Sequence, residues 1–338
     1  MQMRVTGSTM AAFSKSRLAS ISILLIDPDK ELSLLIRKVL KALGFSTVHV
    51  ARDGSSALQL MKKEEIDIVI TDWDMTPMSG IEFLSHVRNH DESPNPFVPI
   101  IMLTGHAKRK HVEIARDKGI TEFMVKPFTT KALCDRIILV IDHPRNFIMS
   151  PGYRGPDRRR RTVDTGETVD RRQTDDAAGD NLYMLDVDYT LKDKLGANTS
   201  ARELFSEASV KEAQRVISNS RGKFLEWVVG DLSELEEAYR ALEASPEEHN
   251  VLAMANAAMR VKGRAGTFGY DLASQVAESL NDITRGSSYA DPKRLIAVRK
   301  HIDVLYVIFQ RNILGGGGAV GKDLMDSLEI LSKKYRQE

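Results

Sequence analysis

Residues 66–80 read "IDIVITDWDMTPMSG". The apolar run stops at Asp72, a turn rich in Asp, Pro, Ser and Gly follows, and residues 80–90 then carry a helical pattern. A short β-branched run bounded by turn residues reads as a fully buried strand. A strand that ends in a carboxylate and leads at once into a helix is the unit from which parallel sheets are built. The unit recurs on both sides. Apolar runs "ISILLI" (21–26), "TVHV" (47–50), "VPIIMLT" (98–104) and "EFMV" (122–125) alternate with amphipathic stretches at 30–43, 54–64, 107–118 and 129–141. Gly44 stands where the first of these helices needs a left-handed cap. Together the five units predict an α/β fold, a doubly wound five-stranded parallel sheet with helices on both faces.

The chain of 338 residues is long enough for two domains and a linker. With 42% hydrophobic and 28% charged residues it has a globular composition. The net charge of +1 argues against a dedicated nucleic-acid or membrane-surface protein. No apolar run approaches the roughly 18 residues of a membrane helix. Cys134 is the single cysteine, which rules out an intrachain disulfide and suits a reducing compartment. A cytoplasmic protein is therefore expected. Residues 1–19 read as a disordered polar tail and 20–143 as the α/β domain. Residues 144–198 read as a flexible charged linker. Within it, 151–180 hold seven Arg against seven Asp or Glu and almost no large apolar residue, too little to offset chain entropy. Residues 199–338 show helical patterns near 209–243, 247–264, 268–284, 291–312 and 320–336, which make an all-α bundle. In it "SPEE" (245–248) reads as a helix start capped by Ser245. "GGGG" (315–318) follows no strand and precedes no Lys-Ser/Thr pair, so it reads as a turn and not a phosphate loop.

Ligands of an open parallel sheet bind at the carboxyl ends of its strands. Asp27, Asp72, Thr104 and Lys126 stand at four of those ends. Two carboxylates, a hydroxyl and an ammonium suit phosphoryl transfer to a carboxylate. Asp72 is a nucleophile of the right type. Mg²⁺ takes oxygen ligands and keeps several waters, so a few protein oxygens suffice. Thr104 can donate to one phosphoryl oxygen and Lys126 can neutralise another.

Through "LLIDPD", "VITDWDMTPMSG", "IIMLTGH" and "FMVKPF", residues 21–142 resemble the receiver domain of bacterial two-component response regulators. The resemblance implies that Asp72 is the phosphoacceptor and that Asp27, Asp72 and the backbone carbonyl of Asp74 hold Mg²⁺. It implies Thr104 as the switch hydroxyl, Lys126 as the phosphate-pairing base and Phe123 as the switch aromatic. Receivers usually carry two adjacent acids after the first strand, whereas here Pro28 follows Asp27, which implies a weaker hold on the metal. Thr76 displaces proline to Pro77, and Phe123 stands where Tyr is common, without its hydroxyl.

In the helical region "AMRVKGRAGTFG" (258–269) places Met254, Ala258, Val261, Ala265 and Phe268 on one face, the expected core. Met259, Lys262, Gly263 and Gly266 form a second stripe, expected to be exposed. That stripe resembles the histidine phosphotransfer (HPt) domain, a helical bundle that docks on receivers, whose signature is His-x-x-Lys-Gly-x-x-Gly. The resemblance covers roughly 209–312. The phosphorylated His falls on Met259, and a thioether cannot carry a phosphoryl group, so the stripe implies a docking surface without transfer chemistry. His249 and His301 lack the following Lys-Gly and read as surface or boundary residues.

These readings predict a phosphorylation-controlled signalling adaptor that is not an enzyme beyond accepting phosphate on Asp72. Its expected partners are a histidine kinase or phosphotransfer protein, another receiver or a second copy of itself, with no nucleic acid and no membrane. The alternative is a transcriptional regulator. Residues 181–338 hold 21 Lys plus Arg against 23 Asp plus Glu, a net of −2. A DNA reader needs clustered positive charge.

Overall fold

The computed structural model describes residues 17–105, 109–150, 152–158, 183–185, 190–196, 199–285 and 292–333. The chain divides into two compact units. One holds the chain to Met124 and again from Thr130 to Gln214; the other holds Val125–Thr129 and the chain from Arg215 onward.

In the first unit the apolar runs form strands β1 (Ser22–Ile26), β2 (Thr47–Ala51), β3 (Ile68–Thr71), β4 (Ile100–Thr104) and β5 (Glu122–Val125). They make a parallel five-stranded sheet in the order β2-β1-β3-β4-β5. Helices α1 (Lys30–Leu43), α2 (Gly54–Met61), α3 (Gly80–Asn89), α4 (Arg109–Asp117) and α5 (Thr130–Asp142) connect the strands and follow the last. All residues of β3 and β4 are buried, as expected for strands covered on both faces. The termini of the helices follow from local chemistry. Asp29 caps α1 by accepting from the Leu32 N–H, and Gly44 at φ 119° closes it with its own N–H on the Leu40 and Lys41 carbonyls. Asp53 and Ser79 start α2 and α3 with reciprocal capping boxes.

The expected linker contains regular structure. Phe147–Ser150 (β6) pairs antiparallel with Tyr153–Pro156 (β7) and with Tyr183–Leu185 (β8) in the order β7-β6-β8. Buried Arg88 anchors this small sheet: its Nε donates to the Gly119 carbonyl at 3.0 Å, and its guanidinium lies over the Phe147 ring at 5.4 Å. The Arg-rich residues 159–182 and the tail 1–16 lie outside the described residues. Helices α6 (Thr190–Leu195) and α7 (Ala201–Leu204) belong to the first unit, so the bundle does not start at 199. The reason is polar anchoring. Lys194 Nζ donates to Asp67 Oδ1 at 2.8 Å, and Asp142 accepts from Ser200 Oγ and the Ala201 N–H, each at 2.7 Å.

Helix α8 (Glu207–Asn219) leads into α9 (Arg221–Ala244), α10 (Glu248–Thr267), α11 (Asp271–Thr284), α12 (Pro292–Gln310) and α13 (Gly318–Ser332). The helical unit packs α11 against α10 and α12, with α9 across α10 and α12. Its centre is aromatic: Phe224 stacks on Phe268 at 4.4 Å and meets Tyr270 and Phe309 at 5.4 and 6.0 Å. Three expectations need correction. The stretch 209–243 is two helices, which part at Ser220. Ser245 ends α9 and does not start α10, whose N-cap residue is Glu247. His301 is fully buried, with Nδ1 2.7 Å from the Ala297 carbonyl and Nε2 3.0 Å from Ser279 Oγ. The carbonyl can only accept, so Nδ1 carries the ring proton. Val298, Leu305 and Ile308, three, four and seven residues away, lie on the same buried face and are the signal that locates His301 there.

Candidate functional site

β1, β3 and β4 are neighbours in the sheet, and their carboxyl ends bring Asp27, Asp72 and Thr104 to one edge. Backbone bonds lock that edge. The Asp27 N–H donates to the Ala51 carbonyl at 3.1 Å and the Asp72 N–H to the Ile26 carbonyl at 2.8 Å. Asp27 and Thr104 are buried, and Asp72 is half-buried. Lys126 is also buried; it is the first residue past β5, the edge strand beside β4, and a cis peptide joins it to Pro127.

Each carboxylate is held by the turn that follows it. Asp27 Oδ1 accepts from the Asp29 N–H at 2.9 Å, and Asp72 Oδ1 from the Trp73 N–H at 2.7 Å. These bonds fix the orientation of each carboxylate at the strand end. Gly80 is required by close approach: a Cβ there would stand 2.0 Å from the Asp72 carbonyl oxygen. The Gly80 N–H donates to the Trp73 carbonyl at 2.9 Å, which folds residues 73–80 back over the strand end. Within that turn Asp74 is exposed and Met75 buried. Phe123 is partly buried and packs, with Trp73, against the core of the sheet.

The donors suit a hard divalent cation. Asp27 and Asp72 supply carboxylate oxygens, and the turn after β3 supplies backbone carbonyls. Exposed Pro28 adds no side-chain oxygen, and the Asp29 carboxylate faces the N-terminus of α1 as its cap. Among the described residues no three His, Cys, Asp or Glu side chains are grouped to hold a metal. A cation at this edge would therefore depend on two carboxylates, backbone oxygen and water.

The second candidate surface differs from its expectation. Met254, Ala258, Val261, Ala265 and Phe268 are buried, as the spacing predicts. The stripe beside them is not open: Lys262 and Gly263 are buried, and Met259 and Gly266 are half-buried. Lys262 Nζ turns to Glu278 Oε1 at 2.8 Å, because α11 packs along this side of α10.

A family model described as the response regulator receiver domain matches residues 23–138. The chain is 34% identical over 118 residues to the chemotaxis protein CheY-3 of Vibrio cholerae, across 35% of this chain and 89% of that protein. It is 33% identical over 117 residues to the chemotaxis protein CheY of Pseudomonas aeruginosa, across 35% of this chain and 93% of that one. The solved structure of Vibrio cholerae chemotaxis protein CheY4 is 30% identical, with a TM-score of 0.33 over 35% of this chain and 95% of that chain. No described helix is long and apolar enough to cross a membrane.

Proposed function

We infer that this chain, which belongs to the response regulator receiver family through residues 23–138, is switched by phosphorylation of Asp72. The observation that carries this reading is the shared edge of Asp27, Asp72 and Thr104, with Lys126 directly after β5. A carboxylate oxygen of Asp72 attacks phosphorus. The new O–P bond forms as the bond to the donor breaks, and the electron pair of that bond leaves with the donor group. Asp27, Asp72 and the Asp74 carbonyl would hold Mg²⁺, which offsets the negative charge that gathers around the phosphoryl group. Thr104 donates to one phosphoryl oxygen and Lys126 offsets another. The Thr104 hydroxyl and the Phe123 ring then report the change, as the switch pair.

The helical unit serves as a non-catalytic, HPt-like binding output. Met259 stands where the resemblance would put a phosphorylated His, so the unit neither accepts nor donates phosphate. The donor is a histidine kinase or a phosphotransfer protein. Another receiver and a second copy are the further partners of the output, and the site of action is the cytoplasm. Incubation of the full chain with Mg²⁺ and a small acyl phosphate tests the nucleophile. An acid-stable, base-labile label that vanishes in Asp72→Asn is expected; a label that persists in that variant overturns the assignment.

A further inference from the structure

Lys126 and Pro127 belong by their contacts to the helical unit, and within it they meet one face of α10. A Cβ placed on Gly263 would lie 3.4 Å from Lys126 Cβ and 3.5 Å from Lys126 Cδ, which is ordinary contact. A Cβ on Gly266 would lie 2.3 Å from Pro127 Cγ and 2.5 Å from Pro127 Cβ, an overlap that real side chains do not show. A proline ring is closed onto its own backbone and cannot swing aside as the end of a lysine can. Gly263 thus has room for a methyl group and Gly266 has none.

The backbone beneath this face is pinned. Ser274 Oγ donates to the Lys262 carbonyl at 3.0 Å, and Thr267 Oγ1 donates to the Gly263 carbonyl at 2.8 Å, both buried. The Lys262 charge is turned away to Glu278. A helix interior that accepts glycine gives up stability relative to alanine. Here the bare backbone at Gly266 is what lets the Pro127 ring approach.

We propose that the glycine face of α10 is the seat of this chain's own loop Val125–Thr129, and that Gly266 is a positioning residue for Lys126, acting through Pro127. The role assigned to Lys126 rests on the reading of Asp72 as phosphoacceptor; the seat does not.

Hydrogen exchange of the full chain, read by mass spectrometry, tests the seat. In Gly266→Leu the amides of Lys126, Phe128 and Thr129 should exchange at least tenfold faster. Gly266→Ala should give a smaller rise and Gly263→Ala none. Peptides from Met254–Ala258 should stay protected in all three. Unchanged exchange in the loop of Gly266→Leu, with α10 still protected, overturns the proposal. Should that variant lose its helicity by circular dichroism, the cycle of Gly266→Ala with Pro127→Gly, which removes both Cγ and Cβ, decides. Removal of the ring must abolish the effect of Gly266→Ala on the loop, and an effect that persists overturns the seat. Labelling of Asp72 is the second readout. It should fall about tenfold in Gly266→Leu while the wild-type chain labels normally. Equal labelling of the two chains overturns the positioning role alone, and a wild-type chain that never labels overturns the reading of Asp72 while the exchange data still decide the seat.

Discussion

Pro28 lies between two aspartates whose carboxylates already have tasks. Asp27 accepts from the Asp29 N–H, and Asp29 caps α1. A cation at this turn would therefore meet one carboxylate fewer than an adjacent acid pair would give. Pro28 is exposed, so Pro28→Asp should be tolerated in the fold and should lower the Mg²⁺ concentration that half-saturates labelling of Asp72. A Mg²⁺ titration that does not move would show that this position lies out of reach of the metal. Cys134 is a second residue whose behaviour is fixed by its surroundings. Burial, with a smaller push from Asp135, raises its thiol from 9.0 to about 12. Thiolate is the reactive form, so thiol reagents at pH 8 should leave the folded chain unlabelled. The raised value also has a consequence for stability. The unfolded chain gives up this proton near pH 9 and the folded chain retains it, so the contribution is full below pH 9 and is lost as pH rises toward 12. Labelling of the folded chain at pH 8 with unchanged helicity would contradict the burial. The placement of Asp27, Asp72, Thr104 and Lys126 at strand ends was legible in the sequence because each ends or directly follows a strand whose apolar run is plain. The loop contact at Gly266 was not, because it joins residues more than a hundred positions apart and no local pattern announces it.

At the scale of elements, the five strands and the helices between them were readable because β-branched runs and capping residues agree at each boundary. The small sheet was not. Phe147–Ser150 has a single fully buried apolar residue, and Tyr153–Pro156 carries Arg, Gly and Pro, a composition with little strand preference. Packing overrides that preference: Phe147 lies under Arg88 and against Phe97, with ring centroids 4.9 Å apart. The break at Ser220 was equally hidden. Its N–H still bonds to the Val216 carbonyl at 3.2 Å and its carbonyl still accepts from the Phe224 N–H at 3.0 Å, so the helical spacing passes through almost undisturbed. α9 depends on its aromatic anchor. Phe224 is fully buried between Phe268, Tyr270 and Phe309, and its truncation leaves a cavity among rings that cannot collapse into it. Phe224→Ala should cost about 3–5 kcal/mol, read by urea denaturation followed through helical circular dichroism. A loss below about 1 kcal/mol, the size of a surface change, would mean that the cluster is not a core.

At the scale of the whole chain, composition marked a change of character after residue 143 and a return to helix near 199, but contacts draw the boundary elsewhere. Lys194, Ser200 and Ala201 bond to Asp67 and Asp142 of the α/β unit, and Val125–Thr129 joins the helices. Charge counting cannot see such anchors, because each is a pair of ordinary residues at long range. The proposed switch turns on phosphorylation of Asp72. The most direct measurement is reductive trapping of the phosphorylated chain with borohydride, followed by peptide sequencing by mass spectrometry. Borohydride converts an acyl phosphate to the alcohol, so Asp72 should be recovered as homoserine, in the presence of phosphodonor only, while Asp27 and Asp74 remain aspartate. Homoserine at either of those positions, or none at residue 72 in a chain that carries the label, would contradict the account.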